Sequence, residues 1–224
     1  MTEVVSLALS RNWKVATHAV GDRTVRTVLD VYQHALHDNP DTKPGSLVIE
    51  HAFLADKTQR ARAIKLGVAI TVQHALLYVN GAEILASWGP ERAAKVMPVR
   101  SWLDEGATVA VGTDTVRPFD PMLTIWGMVT RSTKDAGIQG PDQAVDQYTA
   151  IELYTSAGAR LVGEADRRGT LQPGRFADFV AYRSDPVTAA IDDLPSLKPA
   201  LTYVGGQPTH DPDRVLPSEP KINA

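Results

Sequence analysis

Three histidines and one aspartate stand where short apolar runs end: His18 closes WKVATH, His51 closes SLVIEH, His74 closes VAITVQH and Asp114 closes ATVAVGTD. Neutral imidazole and carboxylate form the donor set of a divalent metal ion of the zinc type, and a carboxylate beside such an ion can also take up and return a proton. The chain has no cysteine, which excludes disulfides and thiolate ligation and leaves nitrogen and oxygen as the only donors. One histidine at a strand end is ordinary, and it more often bonds a neighbouring carbonyl than a ligand. Recurrence at successive run ends points instead to a cluster. The expectation is that His18, His51 and Asp114 converge within about 6 Å of a common point, as ligand distances near ~2.0–2.2 Å require.

The elements that must carry these residues alternate in period. EVVSLALSR reads as the end of a helix, and residues 13–18 as a buried strand. DRTVRTVLDVYQHALHD places Val25, Val28, Leu29, Tyr32 and Leu36 at helical spacing. PGSLVIEH is a second strand. ADKTQRARAIKLG then opens with Asp56 as N-cap and Gln59 three residues on, a capping box, and stops at Gly67. VAITVQH is a third strand, followed by a longer loop. PVRSWLDEG is a helix and ATVAVGTD a fourth strand. Near-continuous apolar strands alternating with helices predict a parallel sheet covered by helices, whose C-terminal strand ends share one side. From periodicity alone an open flavodoxin-like sheet also fits, but the chain carries no glycine-rich phosphate loop.

The remainder differs in texture. YTAIELYTSAGARLVG predicts a helix with Thr149 and Glu152 in capping-box positions. GTLQPGRFADFVAYRSDP brackets a short strand at 176–182, LTYVGGQPTH reads as a hairpin turning at Gly205–Gly206, and a proline-rich tail begins near Pro212. The expected division is residues 1–163 as a partial (β/α) barrel and 164–224 as a β-sandwich portion with its tail.

Composition narrows the function. With 224 residues, 43% of them hydrophobic, the chain can bury a sizeable core. A net charge of −3 with scattered cations leaves no electrostatic footprint for nucleic acid. No apolar run approaches the roughly 18 residues of a membrane span, and no basic stretch leads into an apolar core and cleavage site. The expectation is a cytoplasmic protein with no nucleic-acid or membrane partner.

HAVGDRTV, VIEHAF, TVQHALL, VRSWLDEGATVAVGTDT and GTLQPGRFADFVAYRSDP followed by LTYVGGQPTH, in this order, resemble the C-terminal half of amidohydrolase family 3. These are the YtcJ-like metal-dependent hydrolases that include N-substituted formamide deformylases. The resemblance implies a (β/α)8 barrel with a metal site at its C-terminal strand ends and a small β-sandwich. It matches His18 and His51 to the metal-ligand histidines of the fifth and sixth barrel strands. Asp114 matches the eighth-strand aspartate that contacts metal and shuttles the proton, and His74 falls on the seventh strand tip as a substrate contact. The implied cofactor is a divalent metal, zinc first, and the implied substrate a small amide or formamide.

The family's first-strand His-x-His pair has no counterpart here, so the expected product is half a barrel and half a sandwich, with an incomplete metal site. It would be a truncated or split enzyme, partnered by an N-terminal half-barrel or by copies of itself. The alternatives are an N-acyl-amino-acid deacylase, a non-catalytic half-subunit and a remnant. Among other polar residues, Arg117 after the fourth strand is a candidate for an anionic substrate group. Asp22 is placed as an N-cap. Glu50, by strand alternation, points away from His51 and supports the site without ligating. Thr113 can support Asp114 through a hydrogen bond. His34 and His37 fall on a solvated helix face, and His210 is assigned nothing.

Overall fold

Helix α1 (Thr2–Ser10) leads into strand β1 (Val15–Ala19), and α2 (Asp22–Asp38) returns the chain to β2 (Leu47–His51). The computed structural model describes residues 1–114 and 120–212. Then come α3 (Lys57–Lys65), β3 (Ala69–Val72), α4 (His74–Trp88), α5 (Pro90–Ala93), α6 (Val99–Asp104) and β4 (Val109–Val111). The four strands form one parallel sheet in chain order, β1-β2-β3-β4. Every C-terminal strand end therefore lies on the same side.

Local chemistry explains the boundaries. Val25, Val28, Leu29, Tyr32 and Ala35 form the buried stripe of α2, the periodicity expected of a helix laid on a sheet. The Tyr32 hydroxyl lies 2.7 Å from both Thr17 Oγ1 and Val48 O, tying β1 to β2. Burial pushes its phenol up to about 12, so the group stays a neutral donor. Asp56 and Gln59 make the reciprocal capping box that starts α3, and loss of such a cap costs about 1 kcal/mol. Arg60 of α3 grips Glu105 with Nε and Nη2, fixing α3 to the end of α6.

After β4 the chain forms α7 (Pro121–Thr130), capped by Asp120, then α8 (Gln147–Tyr154) and α9 (Ser156–Val162). The cap of α8 is Asp146, which accepts from the Thr149 backbone and hydroxyl, so the capping box expected at Thr149 and Glu152 is corrected to an aspartate cap three residues earlier. Helices α8 and α9 pack on β4. Lys14, just ahead of β1, donates to Leu161 O in α9 at 2.6 Å. One helix thus links both edge strands at the end of the sheet opposite His18 and His51.

A second, antiparallel sheet follows: β5 (Phe179–Tyr182), β6 (Pro199–Val204) and β7 (Gln207–His210). Gly205 and Gly206 have φ of 57° and 78°, the two left-handed positions a two-residue hairpin turn demands. Asp178 Oδ1 accepts the Gly205 N–H at 2.6 Å. Leu194, on the 3-10 turn between β5 and β6, is fully buried in the main core. Among the described residues, no helix is long and apolar enough to cross a membrane.

Candidate metal and active site

In the β1–β2 ladder His18 lies opposite Glu50, and Ala19 opposite His51. Side chains on neighbouring parallel residues share a face, so simple alternation sets His18 beside Glu50 and sends His51 behind the sheet. His51 escapes this rule because its backbone turns left-handed, with φ 78°, and Ala52 follows at φ 45°. Such values are uncommon outside glycine and cost roughly 1–3 kcal/mol each, and they gather at functional sites. The strain places the His51 ring edge-on to His18, with centroids 4.6 Å apart. Phe53 closes the other side of the ring at 5.8 Å.

A chain of polar side chains holds His51. Its Nδ1 lies 2.6 Å from Gln73 Oε1. Gln73 Nε2 in turn donates to Thr71 Oγ1 at 2.8 Å and to Glu50 Oε2 at 3.1 Å, and the Thr71 hydroxyl donates to the same Glu50 oxygen. Because an amide oxygen only accepts, Nδ1 of a neutral His51 is the protonated nitrogen, and the Nε2 lone pair is left for a ligand. The support expected of Glu50 is therefore present, two hydrogen bonds away from His51. Sequence reasoning passed over Gln73 by treating His74 as the tip of the third strand. In the structure β3 ends at Val72, and Gln73, two residues beyond Thr71, occupies the tip.

The remaining expectations fare differently. His51 is buried while His18 is exposed at the open edge strand. Asp114 also adopts a left-handed backbone, φ 58°, and is exposed past the end of β4. Among the described residues no group of three or more His, Asp or Glu side chains has metal-holding geometry. His18 and His51 meet as a ring pair, and Asp114 stands beyond β4 on the same side of the sheet.

His74, expected on a pocket rim, lies in the interior. It begins α4, is fully buried, and finds no hydrogen-bond partner for either ring nitrogen. Burial first, and the Arg131 charge second, hold its pKa well below 6.5, so it stays neutral. Arg117 lies outside the described residues. Asp22 sits one residue inside α2, with Gly21 as the cap, and accepts from the Arg23 N–H while pairing with Arg92. His34 and His37 are solvated, as expected.

The pair offers imidazole nitrogen, a donor type that a divalent cation of the zinc kind accepts: two rings in contact at adjacent strand tips, one of them hydrogen-bonded through Nδ1. A parallel α/β arc with its C-terminal strand ends on one side has the architecture of part of a (β/α)8 barrel, here with a small antiparallel β-subdomain. The chain belongs to the amidohydrolase family, whose model matches residues 1–210. It is 32% identical over 196 residues to the N-substituted formamide deformylase of Arthrobacter pascens, covering 86% of this chain and 35% of that one. An uncharacterized metal-dependent hydrolase from Pyrococcus horikoshii OT3 superposes with a TM-score of 0.73 at 27% identity, over 85% of this chain and 38% of that one. A zinc-bound adenosine deaminase from Xanthomonas campestris shares the fold.

 The deaminase match covers 94% of this chain and 48% of that one, at TM-score 0.63 and 17% identity. The chain spans about a third of the length of the curated relative it matches.

Proposed function

We propose that this chain carries the strand-tip half of the active site of a metal-dependent hydrolase that cuts carbon–nitrogen bonds in small, non-peptide amides or formamides. The observation that carries the reading is the His18–His51 pair, in edge-to-face contact at adjacent tips with Gln73 Oε1 2.6 Å from His51 Nδ1. The likeness to a formamide deformylase supports the choice of bond. In this reading His18 and His51 hold the cation, zinc first. When bound, the ion supplies Lewis acidity, lowering the pKa of a water and polarising the carbonyl oxygen. Asp114, exposed and held in a left-handed turn, accepts the proton from the attacking water and returns it to the departing amine.

A zinc site takes about four donors, and two imidazoles converge among the described residues. The other donors come from an N-terminal half-barrel bearing a His-x-His strand end, in the same polypeptide or in a partner subunit. That half also covers the unpaired edge of β1. The test is formamide hydrolysis by the 224-residue chain with zinc, alone and with such a half supplied. Turnover is expected only in the second case, and Asp114→Asn should lower it about 10²–10⁴-fold while metal binding persists. Strong zinc-dependent turnover by the chain alone, or none after completion, overturns the reading.

A further inference from the structure

The polar row on the inner face of the sheet has a direction. At one end stands the Glu50 carboxylate, which when ionised can only accept hydrogen bonds. The Thr71 hydroxyl spends its proton on Glu50 and receives one from Gln73 Nε2, and that same amide nitrogen also faces Glu50 Oε2. Two acceptors on one side therefore fix which way the Gln73 amide lies. Reversing it would set its carbonyl oxygen against the carboxylate. With the NH2 committed, the carbonyl must face His51, and it lies 2.6 Å from Nδ1.

We propose that Glu50, Thr71 and Gln73 form a one-way hydrogen-bond relay that selects the tautomer of His51, with Gln73 as the positioning residue and Glu50 as the group that sets the polarity. The relay is independent of any metal, whereas its use, presenting Nε2 to a cation, rests on the function proposed above. Two adjacent strand tips combine to build it: Glu50 from β2, Thr71 from β3, and Gln73 from the turn that leads from β3 into α4. Gln73 and Thr71 are buried, so water competes weakly for these bonds and their polarity persists. Partners of this kind, one shell behind a metal-ligating histidine, typically change metal affinity by about 10–100-fold when removed.

The primary experiment needs no variant. Nitrogen-15 NMR of the full chain, at a pH where the ring is neutral, reads which nitrogen of His51 carries the proton. The expected result is Nδ1–H with unprotonated Nε2, whereas an Nε2–H ring overturns the relay. In Gln73→Leu and Glu50→Gln the His51 signal should shift toward a mixture of tautomers, and an unchanged signal in both also overturns it. Cobalt(II) titration supplies a second readout, with affinity expected to fall about 10–100-fold in Gln73→Leu. His51→Ala separates the two claims. If it leaves cobalt affinity unchanged, the metal reading fails and the tautomer measurement still decides the relay. If His51→Ala abolishes binding while Gln73→Leu leaves affinity unchanged, the relay's positioning role fails alone.

Discussion

Replacing His74 with methionine should remove a defined part of the acid sensitivity of this fold. The His74 ring is fully buried, neither of its nitrogens has a partner, and the one charge acting on it is the cation of Arg131. Its pKa is held well below 6.5, by burial and then by Arg131. In the unfolded chain the same ring takes a proton near about pH 6.5. Below that pH the unfolded state binds more protons than the native state, so stability falls as the pH drops and is recovered above it. With the native ring neutral throughout, the loss between about pH 7.5 and about pH 5 is about 2 kcal/mol. Methionine is unbranched and adaptable enough to fill the slot, and it does not titrate. Urea unfolding of both proteins at the two pH values, followed by tryptophan fluorescence, measures the difference. The other histidines occur in both proteins and cancel. Wild type should lose about 2 kcal/mol more than His74→Met over this range. Equal pH dependence would refute the claim that His74 is buried neutral.

Two further substitutions test the packing around this residue. Gly127→Ala would place a Cβ 2.6 Å from His74 Cδ2, so it should cost about 1–3 kcal/mol by thermal unfolding, and His74→Ala in the same chain should relieve most of that cost. Arg131 donates from its buried guanidinium to Gln139 O, Met97 O and Val96 O. Arg131→Ala takes the donor from Gln139 O and Val96 O, while Met97 O keeps the Val99 N–H, and it should lower the urea-unfolding free energy by about 2–5 kcal/mol.

The parts of the fold legible in the sequence were those in which local chemistry and burial agree. The apolar spacing from Val25 to Leu36 marks α2, the Asp56–Gln59 pair marks the start of α3, and Gly205–Gly206 marks the hairpin. Helix α4 reads as a loop for two physical reasons. It starts at His74 without a side-chain cap, and it carries Asn80–Gly81, a pair that normally signals a turn. Gly81 is there for room: a Cβ would come 2.6 Å from Thr133. Helix α7 is a short, almost wholly apolar run, which periodicity cannot separate from a strand. At the site, residue types pointed to His18 and His51, but alternation could not foresee the left-handed backbone that makes them meet. Gln73 was hidden because an amide beside a histidine draws less notice than the histidine itself.

The order of the sheet has a consequence for how the chain acquires its shape. Each strand pairs with the one made just before it, β1 with β2, β2 with β3 and β3 with β4. No late strand has to be threaded between two that are already joined. Ladder contacts are therefore closed only by the segment between consecutive strands, one helix for the first two ladders and three helices for the last, which limits their entropic cost and favours fast zipping. During synthesis, each unit can dock on its predecessor as it leaves the ribosome, ahead of the residues that follow. The two histidines then come together early, when β2 joins β1, whereas the Gln73 that sets the His51 ring arrives one unit later, with β3.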